Sequence, residues 1–454
     1  RPSLILQPDE LYNLMWRVTD RGRLTYLRIP TAVYPDVMAM QAARRALQLD
    51  PEQSQSLSLW LAANIRRENR LPEGESDPSY GQDMRTPAFY ARTAGPSHAK
   101  RVLARALKDA DAALALDALD ALDKTAGTAS LMVDADPVLA ALNYPDRRVR
   151  FNAAFAVARS QPAQDFTGSG RVIPVLAEAI SQSAGGTALV LADDQDTLND
   201  LAAQVRAAGD FDVLMTTDLT AVTELLVNEP AADLVVVKAP LSFVNAMAVA
   251  RANSYKLQAA PMVVMAMAGE VATTTRMFSR QPSVIVTRAD VEAAQVNAAI
   301  KQAMASMNLG EISDRMSEQF AVTALQLLRD LSINANRVLD VTLAEGALID
   351  ALADSRASVV RGAAEVLALV PGPKAQRAIA GAALDGARST SLRIDLFSSL
   401  GDSAQRFGPL LDERSVSELK KLIQSASGDL ADAAAQAYGA MNLPTSQTVD
   451  FVTK

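Results

Sequence analysis

At 454 residues the chain is too long for one hydrophobic core and is expected to hold about two to four domains. Apolar residues make up 49% of it but aromatics only 5%, so alanine and leucine must carry the core, which favours closely packed helices. A formal charge of −8 argues against a nucleic-acid binder, and the lack of cysteine excludes disulfides, thiol nucleophiles and thiolate metal sites.

The charge is uneven. Residues 1–107 carry 15 Lys/Arg against 11 Asp/Glu, and the remainder carries 29 against 41. That asymmetry suits head-to-tail attraction between copies, or an acidic partner for the front end. No apolar run approaches the ~18–20 residues that span a bilayer, so no membrane span is expected. The chain starts on Arg1 and has no cysteine, which leans towards an exported bacterial protein of the periplasm or cell envelope, with the cytoplasm as the alternative.

Residues 1–71 read as an N-terminal helical region, with a helical hairpin at 34–71. Pro35 opens its first helix and Pro51 separates it from a second, roughly Glu52 to Glu68. Residues 72–99 hold Pro72, Pro78, Pro87 and Pro96 with Gly74, Gly81 and Gly95, and read as a Pro/Gly-rich loop. Tyr80, Phe89 and Tyr90 make it a loop that packs aromatics on neighbouring helices or, alternatively, one that binds a partner. Residues 100–183 alternate helix, short turn and helix. Within them, Asp136 to Pro162 place Val138, Leu139 and Leu142 on one helix and Val149, Ala153, Ala156 and Val157 on the next. The turn signal Asn143-Tyr144-Pro145-Asp146 lies between the two.

The period changes between 187 and 307. Thr187–Ala192, Phe211–Met215, Leu234–Val237, Met262–Met265 and Val284–Val286 are short β-rich runs. Helical stretches at Thr197–Ala208, Leu219–Asn228, Phe243–Asn253, Glu270–Ser279 and Asp290–Met307 separate them. Five strands alternating with five helices imply an inserted α/β doubly wound domain with a five-stranded parallel sheet, whose ligand site lies beyond the carboxyl ends of the strands. Helical pairs resume at 311–441, including Ala347 to Leu367 and Lys374 to Leu400. The tail, 442–454, reads as an extended strand or loose end.

Three parts of the chain resemble known families. The small residues and Pro51 around 34–71 resemble a tetratricopeptide repeat, a plain helical hairpin being the other reading. The arrangement L-x-x-L-x-x-P-D-x-x-V-R-x-x-A-A-x-A at 139–156 resembles a HEAT repeat, and Asp354 to Leu367 matches it. That resemblance implies a mainly α solenoid, with Asp146, Arg150, Asp354 and Arg361 as inner-turn contacts between successive units. The insert resembles the response-regulator receiver domain, a bacterial family. Asp193 and Asp194 fall on its Mg²⁺-holding acidic pair, Lys238 on its phosphate-accepting aspartate, Ala266 on its hydroxyl residue, and Thr287 on its lysine.

An amine at Lys238 cannot take the acceptor's place, so the resemblance implies a phosphorylation-dead pseudo-receiver. Its pocket is expected to be locked by an Asp–Lys ion pair, with a cation on Asp193 and Asp194 as the alternative. The receiver family self-associates through its fourth helix, fifth strand and fifth helix, which makes Glu270–Ser279 and Asp290–Met307 the candidate assembly face. His98 is the only histidine, and no nucleotide loop or calcium loop is present, so no catalytic residue, metal site or cofactor is expected. The sequence therefore points to a non-catalytic scaffold or assembly protein working through protein partners, self-assembly among them. The alternative is a signalling regulator whose pseudo-receiver binds a ligand or kinase partner.

Overall fold

A computed structural model describes residues 11–449 apart from 20, 82, 145, 182–185, 210, 227–231, 255, 258–259, 280, 282 and 307–311. The chain divides into two compact units, Arg1–Ala156 with Gln281–Ser283 and Lys301–Gly310, and Val157–Arg280 with Val284–Ile300 and Glu311–Lys454. Among the described residues no helix is long and apolar enough to cross a membrane.

The first unit opens on an antiparallel hairpin, β1 (Tyr12–Val18) and β2 (Leu24–Pro30). This corrects the expectation of an all-helical front end. The residues responsible are β-formers on either side of a three-residue loop in which Gly22 takes φ +73°, the left-handed conformation that such a loop demands. The Thr19 amide donates to the Arg23 carbonyl at 2.8 Å and closes the turn. Met15 and Ile29 pack from one face of the hairpin onto Val33 and Val37.

Two helices follow, α1 (Tyr34–Leu49) and α2 (Ser54–Arg70), packed on each other. The expected Pro/Gly-rich loop at 72–99 is shorter than its composition suggests. Pro87 and Pro96 stand in the first turns of α3 (Pro87–Ala94) and α4 (Pro96–Lys108), where a missing N–H costs nothing. The remaining stretch is pinned to α2: Tyr80 stacks on the Arg67 guanidinium at 3.8 Å, and Asn64 donates to its hydroxyl. Tyr90 meets Trp60 edge-on at 5.0 Å.

The unit continues with α5 (Ala112–Thr125), α6 (Thr128–Met132), α7 (Asp136–Ala141) and α8 (Arg147–Arg159). A charge network ties α2 to the turn before α5. Arg66 reaches Asp109 at 2.6 Å and Asp111 at 2.8 Å, and Arg70 reaches Asp111 at 3.4 Å. Lys100, buried on α4, donates to the carbonyls of Ser130 and Val133 that end α6.

In the second unit α9 (Val172–Ser181) precedes a five-stranded sheet of β3 (Gly186–Ala192), β4 (Phe211–Thr216), β5 (Leu234–Lys238), β6 (Met262–Ala266) and β7 (Val284–Arg288). Every pairing is parallel and the order is β4-β3-β5-β6-β7, so the chain reverses direction across β3 and β5. The helices between strands are α10 (Gln195–Ala208), α11 (Val222–Leu225) and α12 (Leu241–Asn253), followed by α13 (Val271–Met277) and α14 (Ala293–Ser306). The expected helix at Leu219–Asn228 is only a 3₁₀ turn and the single turn of α11. Its last expected residues, like Met307, lie outside the described ones. Leu189, Leu191, Val235, Val237, Met262 and Val264 bury one sheet face against Val222, Val244, Met247 and Phe278. Ala188, Val190, Leu234, Val236 and Val263 alternate with them and are equally buried, which covers both faces as a parallel sheet requires.

After the sheet come α15 (Asp314–Ile333), α16 (Glu345–Ala351), α17 (Ala357–Leu367), α18 (Pro373–Leu384), α19 (Thr390–Phe407), α20 (Glu413–Ser425), α21 (Asp429–Ala440) and α22 (Thr445–Thr448). The tail's described part is thus a short helix where an extended strand was expected; residues 450–454 lie outside the described ones. Helices α15, α17, α19 and α21 pack in succession, and so do α9, α16, α18 and α20. Helix α9 also packs directly on α15, although the whole sheet domain separates them in sequence. The sheet domain therefore falls, in sequence, between two helices that pack on each other.

Candidate functional site

The carboxyl edge of the sheet gathers the residues singled out in the insert. Register sets Ala192 beside Lys238, Lys238 beside Met265, and Met265 beside Thr287, with Ala266 one step further beside Arg288. Asp193, Asp194, Lys238, Ala266 and Thr287 consequently share one end of four neighbouring strands, where a doubly wound sheet presents its crevice.

Their bonding differs from the expected locked pair. Among the described residues, no ion pair within 4 Å joins Lys238 to Asp193 or Asp194. Asp194 instead caps α10: its Oδ1 accepts the Thr197 amide at 2.9 Å. Bonds from Thr197 hold the Asp194 carboxyl below the ordinary carboxylate range, and Lys238 adds only a lesser electrostatic pull. The reason is local. An aspartate one residue before a helix gains more from an orphan N–H than from a flexible ammonium on the next strand. Asp193 stays exposed, Lys238 is half-buried and Ala266 is buried. Arg288, the cation nearest Thr287, is taken by Asp290 at 2.8 Å.

A further acid at this edge escaped the sequence reading. Glu270, in the turn before α13, accepts the Leu241 amide through Oε2 at 3.0 Å and so satisfies the N-terminus of α12. Both Asp194 and Glu270 are committed to helix N-termini. The only sequence signal for the second was Gly269, whose φ of +88° turns the chain just ahead of it.

The repeat-type residues fall into two groups. Asp146 and Asp354 each open a D-x-R turn of the same geometry. The arginine two residues on donates its amide and Nε to Oδ1 and its Nη2 to Oδ2, the last at 2.6 Å in both. Arg148 and Arg356, which the sequence reading passed over, thus bind those aspartates within the turn. Arg356 also links neighbours, donating to Ser317 of α15 at 3.0 Å and to the Ile180 carbonyl of α9 at 3.4 Å. Arg150 is fully buried and donates to the Tyr144 carbonyl at 3.0 Å. Its counterpart in environment is Arg393, which donates to the Ala383 carbonyl at 2.9 Å. Arg361 is exposed and reaches Asp395 on α19 at 2.8 Å, a contact between successive pairs.

His98 has one partner of chemical interest. Its Nδ1 lies 3.0 Å from the Ser58 hydroxyl, whose proton is directed to the Ser54 carbonyl at 3.0 Å. With its proton on that carbonyl, the Ser58 hydroxyl serves the helix backbone. Burial and, to a lesser degree, Arg101 lower the His98 pKa. Among the described residues, no group of three or more His, Asp or Glu side chains could hold a metal ion.

The hairpin was not foreseen, yet it carries the largest exposed aromatic surface described. Trp16 is 58% exposed and lies edge-on to Tyr26 at 5.3 Å, whereas Trp60 is 8% exposed. Its signal was present in the alternation Leu14, Trp16, Val18 and Leu24, Tyr26 around Asp20-Arg21-Gly22. No protein-family model matches the chain, and no curated protein matches it.

Proposed function

We propose that the chain is a non-catalytic scaffold: a HEAT-like α-solenoid, begun by a tetratricopeptide-like hairpin, that carries a phosphorylation-dead, receiver-like domain and works through protein partners. The observation that carries this reading is the use made of the acids at the sheet's carboxyl edge. Asp194 and Glu270 serve as helix caps, and an ammonium stands where a receiver needs its acceptor carboxylate. Mg²⁺ binding there would require Asp194 to leave the Thr197 amide and would bring the metal beside Lys238. The succession of α15, α17, α19 and α21 beside α9, α16, α18 and α20 supports the solenoid reading, because stacked pairs bury what a lone pair cannot.

Titration with Mg²⁺ and beryllofluoride, followed by amide chemical shifts, tests the dead-receiver reading. No saturable shift is expected at Asp193 and Asp194 in the unaltered chain. Lys238→Asp restores an acceptor carboxylate and should at most add shifts confined to that edge, with no switch, because Ala266 and Thr287 supply neither the hydroxyl nor the lysine of a working receiver. A saturable response in the unaltered chain would favour the signalling regulator. Light scattering over a concentration series tests self-assembly, and a strict monomer throughout would remove that part of the proposal.

A further inference from the structure

The hairpin has one buried face and one bare face. Leu14, Trp16, Val18, Leu24 and Tyr26 all point to the bare side, with Val18 68% and Leu24 67% exposed. A contiguous apolar patch of this kind carries information that a scatter of single exposed side chains does not. Among the described residues no further strand pairs with the hairpin's edges. The Thr19–Arg23 and Thr31–Leu11 bonds mark the odd-numbered residues of β1 as the hydrogen-bonded pairs. Alternation then turns the N–H and C=O of Tyr12, Leu14, Trp16 and Val18 outward along β1. Proline, bulges and inward charges usually blunt such an edge. On β2 Pro30 does so, whereas β1 is seven residues without a proline, and its one charge on the packed side is the exposed Arg17 at the turn end.

Charge completes the description. Arg17, Arg21, Arg23 and Arg28 are exposed on this hairpin, and among the described residues none has a carboxylate within 4 Å. Arg28 stacks on the Tyr12 ring at 4.6 Å.

We propose that β1 is a docking edge for an extended segment of a partner protein, added as a third strand and built of alternating apolar and acidic residues. The alternation follows from the pleat. On one face the added side chains lie beside Leu14, Trp16 and Val18 and must be apolar. On the other they run towards Arg17 and the arginines of the turn, and acidic groups fit there. A lipid or phosphate surface could meet the arginines but has no regular series of donors and acceptors for the outward amides and carbonyls, so a polypeptide strand is the occupant. This goes beyond the scaffold reading by naming a surface and the chemistry of what it holds.

Trp16 supplies the readout. The full chain is titrated with an acetylated octapeptide of alternating valine and glutamate, and tryptophan emission is followed. A saturable blue shift is expected that disappears in Trp16→Phe. Binding should weaken by about tenfold or more for the valine–lysine peptide and for Arg17→Glu/Arg23→Glu, whose fold is checked by circular dichroism. It should be abolished when alternate peptide amides are N-methylated, since that blocks the ladder but not apolar contact. Equal binding of the methylated or lysine peptide, or no shift at all, overturns the proposal. A shift produced by phosphatidylserine vesicles and not by the peptide would assign the face to a membrane surface. One that grows with protein concentration alone, together with a dimer in light scattering, would assign it to a second copy. Either result overturns the proposal too.

Discussion

Arg356 ties three parts of the helical region together. It closes the D-x-R turn on Asp354 and reaches both α15 and α9. Arg356→Met keeps the stem's packing and removes every one of those bonds, so it should cost about 2 kcal/mol in chemical denaturation at neutral pH. The pH dependence has a definite sign. Hydrogen bonds from Arg356 hold the Asp354 carboxyl below its ordinary range, and the arginine itself does not titrate. The pair's stabilisation is therefore complete above the unfolded carboxylate pKa and is lost as pH falls through the lower folded value. The difference between Arg356→Met and the unaltered chain should be full at pH 7 and shrink below about pH 4. A difference that stays constant with pH would show that packing alone explains the loss.

Among the elements, α18 and α19 are joined by a fully buried amide. Gln376 donates to the Ser403 hydroxyl at 3.2 Å and the Gly408 carbonyl at 3.1 Å, and accepts the Leu410 amide at 2.6 Å. Gln376→Leu fills similar space but strands those groups, and should cost about 2 to 4 kcal/mol by thermal or denaturant unfolding. The sequence made such helix pairs readable because their apolar faces recur at helical spacing, as in Val359, Val360, Ala363 and Val366. All five strands of the insert were readable too, as apolar runs between turn signals, and the five pocket positions do meet at one edge. What stayed hidden was the choice made by individual polar groups. Spacing assigned Asp194 to a pocket, whereas the backbone's need for a cap claimed it. The repeat resemblance offered Asp146 as a contact between successive units, and the arginine two residues on, which closes a turn upon it, went unread. The hairpin was missed because its strands are amphipathic in the wrong sense: the larger side chains face outward, and burial reasoning looks for them inside.

At the scale of the whole molecule, the placement of the insert within the α9–α15 pair makes a prediction about modularity. Ile180 and Ser317, which flank the insert, are both within hydrogen-bonding reach of the Arg356 guanidinium and so lie within about 10 Å of each other. Replacing 182–312 by a flexible linker of roughly eight residues should leave α9 on α15. The shortened chain should lose the signal of the five-stranded sheet and of α10–α14 in far-ultraviolet circular dichroism, keep the remaining helices, and retain sensitivity to Arg356→Met. A chain that no longer unfolds cooperatively would show that the pair needs the sheet domain to form.

The same placement has a consequence in time. A ribosome releases α9 roughly 130 residues before α15, so the first half of that pair must wait, its apolar face uncovered, while a complete α/β domain is made. Once folded, that domain brings its own ends together. Left unfolded, it would be a long loose tether, and closing it costs about 2 kcal/mol more than closing one of roughly ten residues. A folded insert would thus serve as a splint for the α9–α15 contact, so lesions that unfold the sheet should weaken that helix pair as well.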